Sequence, residues 1–259
     1  MLKEIVSIPT QEILIVFMML CRISGVLLLI PPFGDSNVKP VIKVILGLSI
    51  SLMMFGEFSE TIRPVIKSVA NDTLALTLAL ISELLIGISF SLIVKVLVSA
   101  VQVAGLTVAS QIGLSAASMF DQSQQVQNSS LGLMLAMLTT IAILESGMHI
   151  RIIGSIYDSY NVIPVGDFFR HHNDFTSLVI GSVGKMWSAG IQISMPFILI
   201  NIAMMVGAGI LAKLMPQLQI FFVMLPIQIF VGIMIFGVVL SGILIWFIEF
   251  LSSELSLIF

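Results

Sequence analysis

The sequence has 259 residues, of which 58% are hydrophobic and 10% charged, and its formal net charge is −3. Soluble domains are about 45–50% apolar and about 25% charged, so the 11 Lys+Arg and 14 Asp+Glu found here exclude a water-soluble monomer, a nucleic-acid binder and a disordered tail. The single cysteine, Cys21, excludes an internal disulfide framework and a cysteine-based metal cluster, leaving a polytopic helical membrane protein or a subunit buried in an apolar assembly.

Residues 13–30 are apolar except for Arg22 and stop at Pro31-Pro32, where the ring and the missing N–H end a helix. Lys3, Glu4 and Glu12 precede this segment, and it lacks a small-x-small exit. It is therefore expected to be retained in the mature protein, unlike a cleaved signal peptide. Residues 33–40 form a turn-rich loop. A short apolar segment over 41–55 carries Lys43, and a polar stretch over 56–72 holds Glu57, Glu60, Arg63 and Lys67. Residues 74–94 are long and apolar and carry Glu83.

Two charge-free runs follow, 96–120 (25 residues) and 122–144 (23 residues). A polar stretch over 145–174 contains Arg151, Asp158, Asp167, Arg170 and all 3 histidines. Beyond it lie charge-free runs of 27 residues (186–212) and 35 residues (214–248). Each of the four runs exceeds the about 20 residues that a helix needs to cross a hydrocarbon core of ~30 Å. None shows the ten-residue alternation of an outer-membrane barrel, so the predicted fold class is all-α.

Charge density shifts near residue 175. Of the charged residues, only Lys185, Lys213, Glu249 and Glu254 lie in 175–259. That part predicts one hairpin of two long helices, turning over 213–219 at Lys213, Pro216 and Gln217. The expected organisation is thus 1–174 followed by 175–259. Residues 220–248 would span roughly 43 Å as a straight helix, longer than the hydrocarbon core. A kink at Pro226, tilt, or packing against other apolar subunits would each account for the excess. Basic residues do not alternate between loops, so no orientation is assigned.

Arg22, Glu83, Lys95 and Lys185 lie in or beside apolar runs. Such residues are functional candidates by default, because each costs several kcal/mol unless paired or wet. The plainer reading, interhelical ion pairing or snorkelling to an interface, is favoured. Small residues recur at Ala100 and Ala104 and again at Gly105, Ala109 and Gly113, spacing that lets helix backbones approach closely. Gln102 and Gln111 add amides that seek partners. The Gln/Ser-rich patch over 115–130, with Asp121, is an aqueous loop or a re-entrant loop lining a cavity, and composition alone favours the first.

The sequence contains no phosphate-binding loop, dinucleotide fingerprint, zincin motif or nucleophile elbow. His171-His172-Asn173-Asp174 reads as a solvated loop in preference to a metal site. Nothing supports an enzyme, a cofactor or a metal.

The run Arg22-Ile23-Ser24-Gly25, then Pro31-Pro32-Phe33-Gly34, then Val38-Lys39-Pro40-Val41-Ile42-Lys43, resembles the amino-terminal signature of the FliR/SctT family of type III secretion export-gate proteins. Glu83 and Gly87 resemble its Glu-x-x-x-Gly helix. Gly105, Gln111, Gly113 and Asp121 resemble its central glycine-rich segment. Gly147, His149, Pro164 and Gly166 fit the polar connection, and Pro196, Asn201, Gly207, Pro216-Gln217, Pro226 and Gly232 fit the carboxy-terminal hairpin. The family commonly has proline where Gln122 stands and asparagine where Gln219 stands.

The resemblance implies a FliP-like helical part joined to a FliQ-like hairpin. It implies an inner-membrane subunit of the flagellar basal body that assembles with FliP and FliQ, with FlhB associated, around a channel for unfolded flagellar subunits. It further implies that many helices face protein and only part of the surface faces membrane lipid. The loop from Gly113 through Leu114, Ser115 and Met119 to Asp121 would help close the resting channel. The nearest alternative is the export apparatus of a virulence injectisome. From another class, a secondary transporter would use Glu83, Lys95 or Arg22 for coupling, but no inverted internal symmetry is visible.

Overall fold

The computed structural model describes residues 10–34, 38–70, 72–115, 130–215, 217 and 219–258. Among these there are seven helices and no strand. They are α1 (Thr10–Leu29), α2 (Pro40–Val69), α3 (Thr73–Gln111), α4 (Ser130–Glu145), α5 (Met148–Val162), α6 (Phe168–Leu214) and α7 (Ile220–Ile258). The all-α expectation holds.

The helix ends follow from local chemistry. α1 stops just before Pro31-Pro32, and α2 starts on Pro40, whose locked φ and absent N–H suit a first helical position. α3 starts after Asp72, whose Oδ1 accepts the N–H of Leu74 at 3.0 Å and so satisfies one of the first turn's free donors. Gly147, at φ +71°, separates α4 from α5.

Three boundaries differ from the sequence expectation. The stretch 56–72 does not separate helices, because α2 runs through it and past Pro64. Glu57, Glu60 and Arg63 lie between Met54, Phe58, Ile62 and Ile66, which are buried at four-residue spacing on one face. Residues 74–94 and the charge-free run after them are not two segments, since α3 is a single 39-residue helix through Gln111. The polar stretch 145–174 contains α5 and the start of α6. α5 buries Met148, Ile152, Ile156 and Tyr160, again one face of an amphipathic helix. His171-His172-Asn173-Asp174 stands on the α6 backbone and is not a loop.

Two long helices follow one another at the carboxy-terminal end, α6 ending at Leu214 and α7 beginning at Ile220. Lys213 sits in the last turn of α6, where a cation complements the helix dipole. Gln217 lies in the turn, and Pro216 is outside the described residues. Pro196 and Pro226 are both accommodated inside their helices.

The chain divides into two compact units. The first comprises Met1–Val96, Gly147–Ser182 and Leu255–Phe259. In it α1 packs along α2, and Met18, Met19, Ile23, Ile62, Ile66 and Ile86 form a buried core. Phe58 of α2 meets the rings of Tyr157 and Tyr160 of α5, each at 4.8 Å between centroids. The second unit comprises Leu97–Ser146 and Val183–Glu254. Its core includes Leu97, Ala104, Val108, Leu135, Phe197 and Phe247.

Among the described residues, five helices are long and apolar enough to cross a membrane: Gln11–Leu29, Pro40–Val69, Thr73–Gln111, Asn173–Leu214 and Phe222–Ser256. The most apolar stretch is 50% buried in the third of these but only 11% and 17% buried in the last two. At 1.5 Å per residue, the 47 residues of α6 extend roughly 70 Å, more than twice the hydrocarbon thickness.

Candidate functional site

Two interior polar clusters stand out, one in each unit. In the first unit Arg22 of α1 and Glu83 of α3 are completely buried. Arg22 Nε donates to Glu83 Oε2 at 2.7 Å and Nη2 donates to Oε1 at 3.0 Å, a two-pronged pair. Arg22 Nη1 donates to Ser159 Oγ, and Nη2 also donates to the Ile163 carbonyl, both at 3.3 Å. The Gly166 N–H donates to Glu83 Oε1 at 2.9 Å. The guanidinium carbon lies 4.0 Å from the centre of the Tyr160 ring, a cation–π contact.

The cluster answers the cost of burying charge. Desolvating an arginine and a carboxylate is repaid only when geometry is good and the remaining donors and acceptors are satisfied. Here the surplus donors of Arg22 go to Ser159 and Ile163, and the surplus acceptor of Glu83 takes an amide. That amide is available because the chain turns back at Gly166 with φ +83°, a conformation that side chains with a Cβ resist. The pair is therefore fastened to the turn after α5 as well as to itself.

Beside the pair the backbones of α1 and α3 nearly touch. A Cβ on Gly87 would lie 2.1 Å from the Arg22 carbonyl oxygen, and one on Gly25 would lie 2.6 Å from that of Leu84. The Ser91 hydroxyl reaches the Gly25 carbonyl at 3.0 Å. The Glu-x-x-x-Gly pattern thus has a physical meaning. Four residues apart on one helix face, Glu83 holds the partner's charge and Gly87 admits the partner's backbone.

The second cluster lies where α3 ends. Gln111 is the last residue of α3, and the chain leaves the helix at Gly113 with φ +83°. Gln228 Nε2 of α7 donates to the Gln111 carbonyl at 2.6 Å and to Asn201 Oδ1 at 2.8 Å. Asn201 Nδ2 of α6 donates to Gln111 Oε1 at 2.5 Å. Three helices thus contribute one amide each. A Cβ on Gly113 would lie 3.1 Å from Leu225 and 3.5 Å from Gln228, both on α7.

Small residues close this unit. A Cβ on Gly105 would fall 2.5 Å from the Gly132 Cα of α4, and one on Gly232 of α7 would fall 2.4 Å from Ile112. Ala100, Ala104 and Ala109 are buried. The expected small-residue faces are real contacts.

The other singled-out residues are dispersed. Lys185 of α6 pairs with Glu254 of α7. Lys95 is exposed on α3, as is Gln102. Leu114 is half-buried and Ser115 exposed just after the Gly113 turn. Met119 and Asp121 lie outside the described residues. Sequence reasoning missed Ser159, Tyr160 and the donor role of Gly166, and it missed Gln228. The available signal for Gln228 was the single amide side chain in the uncharged stretch 220–248.

The helices and their interior fastenings define the class: a polytopic, membrane-embedded, all-α protein. The chain belongs to the bacterial export proteins, family 1, whose family model matches residues 13–253. It is similar to the flagellar biosynthetic protein FliR of Caulobacter vibrioides, at 24% identity over 91% of this chain and 92% of that protein. It is similar also to FliR of Bacillus subtilis (28% identity, 86% of this chain, 85% of the relative) and of Escherichia coli (26%, 92% and 88%).

Proposed function

We propose that the chain is a core subunit of the flagellar type III export gate of the bacterial inner membrane. It assembles with FliP-like and FliQ-like subunits around a channel for unfolded flagellar subunits, with a FlhB-like subunit at the cytoplasmic side. Residues 1–174 form the FliP-like part and 175–259 the FliQ-like hairpin. The role is structural and conductive, without a catalytic step.

The observation that carries this reading is the largely uncovered apolar surface of α6 and α7 in a chain of an export family. Helices much longer than a bilayer, with so little of their apolar stretch buried, need protein neighbours as well as lipid. The FliR relatives supply the flagellar assignment.

The mechanism is passive. Gly105, Gln111, Gly113, Leu114 and Ser115 belong to the closed channel wall, continued by Met119 and Asp121. Small residues let the wall pack tightly when shut and offer little steric resistance when a substrate chain passes. Removing residues 113–119 is expected to raise ion flux through the assembled, reconstituted complex at least severalfold. A deletion complex that assembles fully and stays as tight as the unaltered one contradicts the gating mechanism. Coupled solute uptake by the isolated chain would favour a secondary transporter, whereas dependence on FliP-like and FliQ-like partners favours the gate.

A further inference from the structure

We propose that the groove between α1 and α2 is a phospholipid site. It holds one acyl chain, and the Glu12 carboxylate takes the primary ammonium of a phosphatidylethanolamine headgroup. The proposal rests on the membrane embedding of the chain and is independent of the export-gate reading.

The groove is built from one face of each helix. Val16, Phe17 and Leu20 of α1 and Leu48, Leu52 and Phe55 of α2 wall a cavity of about 440 Å³, and Glu12 is its one charged lining residue. That volume lies within the range of small-molecule sites. Phe17 is 48% exposed and Leu52 58% exposed, so the groove opens outward. A Cβ on Gly47 would meet Leu20, Ser24 and Leu27. The two helices therefore run antiparallel, which puts Glu12, near the start of α1, at the Phe55 end of the groove.

That end coincides with a change in the surface of α2. Its exposed side is apolar through Val41, Ile45, Leu48, Leu52 and Met53, and turns polar at Glu57, Glu60 and Lys67. Such a boundary marks the level where hydrocarbon gives way to headgroups. From Glu12 to Leu20 the α1 axis advances roughly 12 Å, close to the ~15 Å that one leaflet of a ~30 Å core offers an acyl chain.

The charge selects the headgroup. A carboxylate bordering hydrocarbon is costly unless paired or wet. Among the described residues, the Glu12 side chain has no ion-pair or hydrogen-bond partner. A primary ammonium brings a full charge and three N–H donors. The quaternary ammonium of phosphatidylcholine has no N–H to donate, and the anionic headgroup of phosphatidylglycerol is repelled. One charge at one end of an apolar trough is the polarity of an amphiphile. A docking helix would present side chains along its whole length, and the trough offers polar groups nowhere else.

The test uses the full chain purified in detergent and dioleoylphosphatidylethanolamine carrying a diazirine on one acyl chain. After irradiation, peptide mass spectrometry maps the adducts. They should concentrate on residues 13–20 and 48–55. Unlabelled phosphatidylethanolamine should displace the probe about fivefold better than phosphatidylcholine or phosphatidylglycerol with the same chains, the factor that one partly exposed ion pair supplies. Glu12→Gln should abolish that preference and keep the adducts. Leu52→Trp, which fills the groove, should cut the groove adducts severalfold for every lipid. Adducts spread evenly over exposed apolar residues such as Met53, Ile180 and Val238 mean surrounding lipid only, and overturn the site. A groove without headgroup preference, or with a preference unmoved by Glu12→Gln, overturns the ammonium assignment. Groove adducts that vanish when the chain is labelled in its native membrane mean that another subunit covers the groove, and overturn the lipid as occupant. If a variant fails to fold, the adduct map and headgroup order of the unaltered chain decide.

Discussion

Gly87 and Arg22 meet backbone to backbone: a methyl group at Gly87 would sit 2.1 Å from the Arg22 carbonyl oxygen. The same arginine sends its guanidinium to Glu83, one turn earlier on the helix that carries Gly87. Helix crossing and ion pair are thus one construction, and each limits what the other tolerates.

Gly87→Ala is expected to separate α1 from α3. Overpacking costs about 1–3 kcal/mol even where side chains can yield, and here the obstacle is backbone. The apparent melting temperature of the purified chain in detergent should fall by several degrees. Gly181→Ala is the control, because a Cβ there meets nothing within 4 Å. It should be neutral or mildly stabilising, since alanine is favoured in a helix by roughly 0.5–1 kcal/mol.

Removing one member of the buried pair should be severe. Arg22→Ala or Glu83→Ala leaves an uncompensated buried charge, a loss of about 3–5 kcal/mol. The double variant Arg22→Met with Glu83→Leu should be less damaging than the sum of the singles. A thermal double-mutant cycle checks this, and additive losses would mean that the two charges do not interact.

Glu83 and Arg22 were legible as unusual residues, because charge inside an apolar run is conspicuous. That they pair was not legible, since 61 residues separate them and nothing local selects one partner. The Glu-x-x-x-Gly spacing did place Glu83 and Gly87 on one face. Long charge-free runs revealed the hairpin and its turn, because hydrophobic length is a property of the chain alone. They concealed the extent of α2, where Glu57, Glu60, Arg63 and Lys67 interrupt the apolar count while the burial period continues through Phe58, Ile62 and Ile66. The amide triad was half legible. Gln111 was expected to seek partners, but they lie 90 and 117 residues away and come together only through tertiary packing.

Gly166→Ala should weaken the charged cluster from outside. The substitution strains a left-handed backbone and displaces the N–H that Glu83 accepts. The expected loss is about 1–2 kcal/mol from backbone conformation alone. It should be non-additive with Glu83→Leu, because both changes remove the same bond, and the same thermal assay reads it.

Lys185→Ala should matter little to stability. The lysine side chain is 45% exposed, and pairs in such surroundings contribute about 0–1 kcal/mol. The melting temperature should shift by no more than a degree or two, and less at high salt. A large loss would show that Glu254, whose side chain is only 12% exposed, depends on the lysine to keep its charge.

The central claim, that the chain belongs to a flagellar export gate, is tested most directly by the secretion of filament subunits from cells lacking it. The account predicts that filament protein stays inside the cell, that no filaments form, and that a plasmid copy of the chain restores both. Normal filaments and normal secretion in its absence would contradict the flagellar assignment, and loss of another type III cargo alone would point to the injectisome.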